Sequence, residues 1–438
     1  MEIPERVEKL EKSPTPALTE AFGPLQGIRI LCTGSLVAVP HGATIMADLG
    51  AEVIHIENPG TGDPSRISFP RIHSNDGKTE ISSGWANNAR NQLSMELDMR
   101  INKNPLSREV FLGLIKSCDI WIENMVWLEK RYGITDNIVL KTNPRMVIVH
   151  ESGYGKPEFG GQSNKCWRAA YDIIGQAYGG LSYITGEPDG PPTRVEPYSA
   201  DYITAIFVAL GALMGYIHSR KTGRGQVVDV AQFEAVARIL GGVFPDYLNS
   251  GHITGRSGNK SNSLQPYGLF QTKDGYIALG AFDNTILPRF LQALAEATGI
   301  NIADYPTEKH NLPTKNIHSP QGLTLDKLLE GWVSSHTTAK VCTLFNKYQI
   351  PCSPVYNSAD AAQDYHWKAR ENFMQCIDQT TQRKINIFGI TPKISETPGK
   401  IWRGAPAQGQ DTDNILNKIL GYSAAEIQYL RDEKIVCR

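Results

Sequence analysis

Asp172 stands in the run Arg168-Ala169-Ala170-Tyr171-Asp172-Ile173-Ile174-Gly175-Gln176-Ala177-Tyr178-Gly179-Gly180, between two aromatics and just ahead of small residues. A carboxylate in such a place can act as a covalent nucleophile towards an activated carbonyl. The small residues downstream let backbone and ligand approach closely. An Asp before an apolar stretch is also a common helix N-cap, accepting amide hydrogens of the first turn. On these residues alone both roles stay open. Two more acids, Asp201 and Glu234, suit capping or pairing within helices. Tyr171 and Gln176 could line a pocket beside Asp172 or simply pack. His41 follows Pro40 at a βα turn, where ligands gather in open sheets, although a lone histidine is more often structural. Trp85, Trp121, Trp127, Trp167, Tyr171 and Tyr178 could line a pocket, although aromatics usually pack cores.

The elements that must position these residues alternate. Residues 28–33 read as a buried strand, the apolar-periodic stretch through 43–49 as a helix that Gly50 stops, and 51–57 as a second strand. This βαβ unit predicts a parallel, Rossmann-like start, without the GxGxxG run that a dinucleotide needs. Further strands are expected at 119–123, 146–150 and 226–230, and helices at 111–118, 200–219 and 231–240. A polar loop at 251–265 leads to a hairpin over 270–279 that turns at Lys273-Asp274-Gly275. Residues 302–322 read as irregular, with helices near 323–335, 338–347 and 424–431 beyond them.

The totals narrow the classes. At 438 residues and 41% hydrophobic, the chain holds two or three domains and a sizeable core. A net charge of -1 offers nothing to nucleic acid or an anionic membrane. No stretch reads as long and apolar enough to span a bilayer, and the charged segment Met1–Lys12 lacks the apolar core of a secretory signal. The seven cysteines are scattered without CxxC spacing, which argues against a disulfide framework or a zinc site. A cytoplasmic, reducing location and no metal are expected.

Several motifs occur in order along most of the chain. They include Gly23-Pro24-Leu25-Gln26-Gly27, Ala47-Asp48-Leu49-Gly50-Ala51-Glu52-Val53-Ile54 through Glu57-Asn58-Pro59, Gly62-Asp63-Pro64-Ser65-Arg66, and Asn91-Gln92-Leu93-Ser94-Met95-Glu96-Leu97-Asp98. Asp119-Ile120-Trp121-Ile122-Glu123-Asn124, Ser152-Gly153-Tyr154-Gly155, Tyr171-Asp172, Gly223-Arg224-Gly225-Gln226 and Ile401-Trp402-Arg403-Gly404-Ala405-Pro406 follow. Together they resemble the CaiB/BaiF family (family III) of CoA-transferases, with the pattern most similar to carnitine CoA-transferases and bile-acid CoA-transferases.

The resemblance implies an α/β architecture. A large Rossmann-like domain is formed by both chain ends, and a smaller α+β domain is inserted between them. Residues 1–220 would open the large domain, 221–340 form the insert and 341–438 complete the large domain, in an interlocked homodimer. It also implies a reaction. The Asp172 carboxylate attacks an acyl-CoA thioester, giving an aspartyl anhydride and CoA thiolate; the thiolate returns to give an aspartyl-CoA thioester; an acceptor carboxylate reverses the sequence. Coenzyme A and acyl-CoA are substrates, and no cofactor is permanently bound. By the same resemblance, Asn124 and Arg131, with Arg66 and Tyr154, contact CoA, and Gly255 and Gly258 are what remains of a glycine-rich lid. Many relatives carry an Arg shortly after the Asn, where this chain reads Glu123-Asn124-Met125-Val126; Lys130 or Arg90 could compensate. The rivals are an α-methylacyl-CoA racemase, which needs two bases and resembles a pattern with His where Tyr171 stands, and a non-catalytic CoA-binding protein.

Overall fold

The computed structural model describes residues 3–305 and 319–437. Most of the stretch expected to be irregular, 302–322, lies outside the described residues; a short 3-10 turn at Ile302–Asp304 precedes it and a helix from Pro320 follows. The chain forms two units, one comprising Met1–Leu181, Val195–Gly242 and Lys368–Arg438, the other Ser182–Arg194 and Val243–Trp367.

The larger unit is built on β1 (Arg29–Cys32), β2 (Glu52–Glu57), β3 (Leu93–Glu96), β4 (Ile120–Glu123), β5 (Val147–Ser152) and β6 (Gln226–Ala231). All pairings are parallel and the spatial order is β3-β2-β1-β4-β5-β6. Both faces are covered, which is why these strands read as continuous apolar runs rather than alternating ones. Alternation is still visible in where each residue goes: Leu31 packs with Ile54, Phe111, Trp121 and Ile148, while Ile30 and Cys32 pack with Met46, Val53, Val149 and Val208 on the other face. The one charge in β1, Arg29, is fully buried; it pairs with Glu52 at 2.6 Å and donates to the carbonyls of Ser117 and Pro14.

The covering helices include α1 (Ala38–Asp48), α2 (Pro105–Ser117), α3 (Asp172–Tyr178), α4 (Ser199–Thr222) and α5 (Gln232–Ile239). By length and composition α4 could cross a membrane, which corrects the expectation that no stretch is apolar enough. Its small residues explain its place in this fold. Alanines and Gly215 line the face turned to the sheet, where a Cβ on Gly215 would lie 2.4 Å from Val147. Gly42 of α1 also lies close to the Ala205 carbonyl, since a Cβ there would lie at 2.9 Å.

Gly223 ends α4 with φ +73° and the chain passes directly into β6. The basic turn at 220–225 is therefore an αβ connection and not the domain boundary expected at 220/221; the larger unit runs to Gly242 and resumes at Lys368, not 341. The chain's last part adds a hairpin, Phe373–Ile377 with Lys384–Phe388, and ties to β3 through the Asp411 carboxylate, which accepts from Ser94 N at 2.8 Å. The smaller unit has an antiparallel sheet of β7 (Tyr267–Gln271), β8 (Tyr276–Gly280) and β9 (Cys352–Pro354), with a core around Phe270, Ile277, Phe290, Leu329 and Phe345. The β7–β8 hairpin turns at Lys273–Gly275 as expected.

Candidate active site

The strand order reverses between β1 and β4, and ligands of open α/β sheets bind beyond the carboxyl ends at such a point. Here the two strand ends are laced by Asn124, whose Oδ1 accepts from Ser35 N at 3.0 Å and whose Nδ2 donates to Ser35 O at 3.1 Å. A cavity of about 370 Å³ opens beside them, with Ser35, Asn124, Arg131, Glu151, Trp167 and Tyr171 in its wall, joined by Asp201 and Gln232. Gly153, after β5, permits this closure: a Cβ there would lie 2.1 Å from Ala170 Cβ, just ahead of Asp172.

Asp172 is the first residue of α3 and does not cap it; Tyr171 holds the cap position without a side-chain hydrogen bond. The buried carboxylate instead faces the first turn of α4. Its Oδ1 accepts from Ala200 N at 2.8 Å and Asp201 N at 3.4 Å, and its Oδ2 from Gln176 Nε2 at 2.7 Å. The positive end of a 24-residue helix thus holds a negative side chain supplied by another helix. Gln176 is fixed in turn, because Nε2 also donates to Val195 O at 2.8 Å and Oε1 accepts from Val195 N at 2.8 Å. Fully buried, it orients Asp172 and does not line the cavity, which corrects the expected pocket role; Tyr171 is in the wall and exposed.

Two further acids share the wall. Asp201 accepts from Gln232 Nε2 at 2.6 Å; burial, then the Asp172 charge, push its carboxyl up to about 7. Glu151, near the end of β5, is pushed up to about 8 by burial and by the charges of Asp201 and Glu123, against a hydrogen bond from Asn124. Behind them His150 lies between Glu123 and Asp136, with Nε2 2.9 Å from Asp136 Oδ1. Burial opposes its charge, yet the two carboxylates outweigh that and raise it to about 9.

The expected CoA contacts divide. Asn124 and Arg131 line the cavity. Arg131 also lines a neighbouring cavity of about 610 Å³ together with Arg100, Lys103, Lys130 and Lys434. Arg66 lines neither: its guanidinium donates to Glu57 at 2.6 and 2.7 Å and to Pro406 O at 3.0 Å, above the Trp85 ring. Tyr154 packs edge-on against Tyr178 at 5.2 Å and is not itself in the wall, although Gly153 and Gly155 on either side of it are. Arg90 is held by Asp48 at 2.6 Å, so of the two proposed substitutes for the missing Arg only Lys130 reaches a cavity. Among the aromatics, Trp127, Trp167 and Tyr171 line the first cavity, whereas Trp85 and Trp121 are buried. His41 bonds Asn88 at 3.1 Å and is lowered to about 4, chiefly by burial; it is structural. Glu234 is exposed in the first turn of α5. Gly255 and Gly258 belong to the smaller unit, where Gly258 has φ +60° and donates to Gly186 O at 2.9 Å.

Sequence reasoning missed Glu151, Gln232 and the Ala200 amide. The signal for Glu151 was its place at the end of a parallel strand before Gly153, where such sheets carry their chemistry.

The arrangement defines an α/β protein with a buried carboxylate on a helix N-terminus, beside a switch-point cavity flanked by cations. Residues 25–412 match the model of CoA-transferase family III, and the chain belongs to that family. It is 35% identical over 411 residues to the bile acid CoA-transferase BaiK of Clostridium scindens, covering 93% of this chain and 88% of that protein. It is 32% identical over 427 residues to the succinyl-CoA–L-malate CoA-transferase alpha subunit of Chloroflexus aurantiacus, covering 96% and 95%. In fold it is similar to a CAIB/BAIF family protein from Brucella suis, with TM-score 0.76, 23% identity, and coverage of 91% and 100%. The protein is a CoA-transferase acting on CoA thioesters.

Proposed function

We propose that Asp172 is the nucleophile and carries CoA between a donor acyl group and an acceptor carboxylic acid. The observation that carries this is the Asp172 carboxylate seated on the first turn of α4 with two fixed donors, Ala200 N and Gln176 Nε2. Each covalent form keeps an aspartyl carbonyl oxygen where these donors point, so the amide that holds the carboxylate also polarises the carbonyl for the next attack. The C–O bond to the acyl carbon forms as the C–S bond breaks; CoA thiolate then attacks the aspartyl carbonyl and displaces the donor acid. One thioester replaces another, so no ATP is consumed.

CoA would lie with its phosphates in the cationic cavity of Arg100, Lys103, Lys130 and Lys434 and its thiol end beside Tyr171, passing Arg131, which lines both cavities. The acceptor is of the carnitine/betaine type, for which the aromatic wall of Trp127, Trp167 and Tyr171 suits a quaternary ammonium. A bile-acid-type acceptor is the second reading, favoured by the likeness to a bile acid CoA-transferase. A homodimer belongs to the proposal: Ile206, Leu210, Met214 and Ile217 form an exposed apolar stripe on α4 of the single chain. So does a cytoplasmic location, since the described cysteines are free thiols.

The test is transfer from acetyl-CoA or succinyl-CoA to a panel of labelled acids that includes carnitine, cholate and malate, with intact-protein mass read for an enzyme-bound CoA. Transfer with a CoA adduct mapped to Asp172 is the expected result. Exchange of an α-proton with solvent deuterium, without transfer, would instead favour a racemase. CoA binding with neither reaction would favour the non-catalytic reading. The wall of the cavity holds no histidine, the base that the racemase pattern places before the Asp.

A further inference from the structure

We propose that Glu151 and Asp201 form a proton-bearing carboxyl pair that receives the carboxylate of the acceptor acid, and that the pair's ionisation shuts the acceptor out. The inference rests on the reading of Asp172 as the nucleophile. Both side chains lie in the wall of the 370 Å³ cavity, and neither belonged to the set expected to bind substrate. The Asp201 backbone amide reaches Asp172 Oδ1 at 3.4 Å, which sets this residue beside the proposed nucleophile.

Gln232 ties Asp201 into the cavity wall. Gln232 is in the same wall and only 3% exposed. Its Nε2 donates to Asp201, but its Oε1 has no hydrogen-bond partner. That oxygen is enclosed and faces Gly175, which is not in the cavity wall. The side chain can lie there because residue 175 is glycine; a Cβ would come within 2.4 Å of that oxygen.

Charges reach the pair from every packed element. Glu151 faces Glu123 from the end of β4, Asp201 from α4 and Asp229 from β6, while Asn124 hydrogen-bonds it. Asp201 faces Asp172 from α3. The nearest cations are otherwise engaged: His150 lies on Glu123 and Asp136, and Lys156 is 3.6 Å from Glu123. Arg131 and Arg168 stand elsewhere in the cavity wall. Buried carboxyls set against like charges retain protons, which accords with values of about 8 for Glu151 and about 7 for Asp201.

The consequence follows from the charge of the acceptor. To attack the aspartyl-CoA carbonyl, the acceptor must arrive as a carboxylate. One of its oxygens forms the new C–O bond as the C–S bond breaks and CoA thiolate leaves. The other oxygen accepts a hydrogen bond from a neutral carboxyl of the pair, whose proton stays where it is. If the pair is ionised, the same groups meet the incoming anion with like charge.

The experiment measures acceptor KM and kcat from pH 6 to 9.5 for the parent, Glu151→Gln and Asp201→Asn. The acceptor probe is the labelled free acid of the donor itself, for example succinate with succinyl-CoA, since reversibility makes that acid an acceptor. Formation of the CoA adduct without added acid is followed by mass in each protein. The expected result is a parent KM that is flat below about pH 7 and climbs about tenfold per pH step above pH 8, with kcat changing less. Glu151→Gln, which cannot ionise but can still donate a hydrogen bond, should lose most of that climb. A parent KM flat across the range, or a climb kept in both variants that form the adduct, overturns the pair. A parent that forms no adduct with any donor overturns the Asp172 reading, and this inference with it. Should Glu151→Gln fail to fold, Asp201→Asn alone decides, by the same loss or retention of the climb.

Discussion

Replacing Asp172 by Asn keeps the volume and the planar shape, so its cost isolates hydrogen bonding and charge. The Asn oxygen can keep the Ala200 amide that now donates to Asp172 at 2.8 Å. Its nitrogen must then face Gln176 Nε2, a donor 2.7 Å from the present carboxylate oxygen. Gln176 cannot turn over to offer its oxygen, because both ends of its amide are already bonded to Val195 at 2.8 Å. The other Asn orientation sets its nitrogen against the Ala200 amide instead, so one donor always meets a donor. An unsatisfied buried donor costs about 1–3 kcal/mol, and loss of the anion from the N-terminus of α4 about another 0.3–1 kcal/mol. A partial offset comes from Asp201, which is relieved of a like charge. The expected loss is roughly 2–3 kcal/mol in urea unfolding, with a folded protein, no CoA adduct and no transfer. Turnover near the parent rate would refute the nucleophile. An unfolding loss below about 0.5 kcal/mol would refute the claim that Gln176 is locked.

Further outcomes follow from the same contacts. Arg131→Ala should raise the KM for CoA roughly ten- to a hundredfold, the range for a charge-assisted bond, with kcat nearly kept; if Arg131 grips the 3′-phosphate, the preference for CoA over 3′-dephospho-CoA disappears in the variant, and an unchanged preference places Arg131 elsewhere. His150 is held above its ordinary value, at about 9, by Glu123 and Asp136, so its stabilisation is fully present below about pH 6.5 and lost as pH rises through 9. The expected size is on the order of 3 kcal/mol, so His150→Gln should be destabilised most at pH 6, with the gap to the parent closing by pH 9 to 10; a gap independent of pH refutes the charged state. Met214→Asp, on the exposed face of α4, should shift sedimentation towards monomer with loss of transfer, and an active monomeric parent would dismiss the dimer.

Much of the larger unit was legible because parallel strands buried on both faces leave continuous apolar runs, as in residues 28–33, 51–57 and 119–123. The β3 strand was not: Leu93-Ser94-Met95-Glu96 alternates polar and apolar, and its buried polar groups are bonded by Glu57 and Gly60 as well as by Asp411, Thr412 and Gln408, which return from the far end of the chain. The boundary at 220 failed for a similar reason. Arg220 to Gly225 has the composition of a linker, but what decides its role is the pairing of Val227 with Ile148, which no local pattern announces. Motif order singled out Asn124 and Arg131, which line the cavity, and Asp172, which adjoins it through Tyr171. Arg66 stood in an equally good motif, yet its charge is spent on Glu57, a partner nine residues away whose own burial could not be read locally. Glu151 and Gln232 escaped because their chemistry arises from mutual position alone.

The cap and nucleophile readings of Asp172 exclude each other only if an Asp must cap the helix it begins. Here it begins α3 and holds the N-terminus of α4, so capping costs the carboxylate only some of its lone pairs. One donor rests on each oxygen at short range, and an ionised carboxylate has room for about four. Asp172 is 5% exposed and adjoins Tyr171 of the cavity wall without itself lining it, so the proposed attack uses the lone pairs these donors leave. The held geometry also removes rotational freedom that a surface carboxylate would have to lose before reacting. In the proposed mechanism, attaching the acyl group or CoA removes the negative charge on Asp172 while the α4 amide stays. It then meets a carbonyl oxygen on which charge develops as the next group attacks. On that mechanism the same contact would stabilise both the resting anion and the tetrahedral transition states, without rearrangement. For this reason a stability loss in Asp172 variants is not evidence against catalysis. What separates the roles is whether the covalent CoA adduct forms, because a cap alone makes no bond to sulfur.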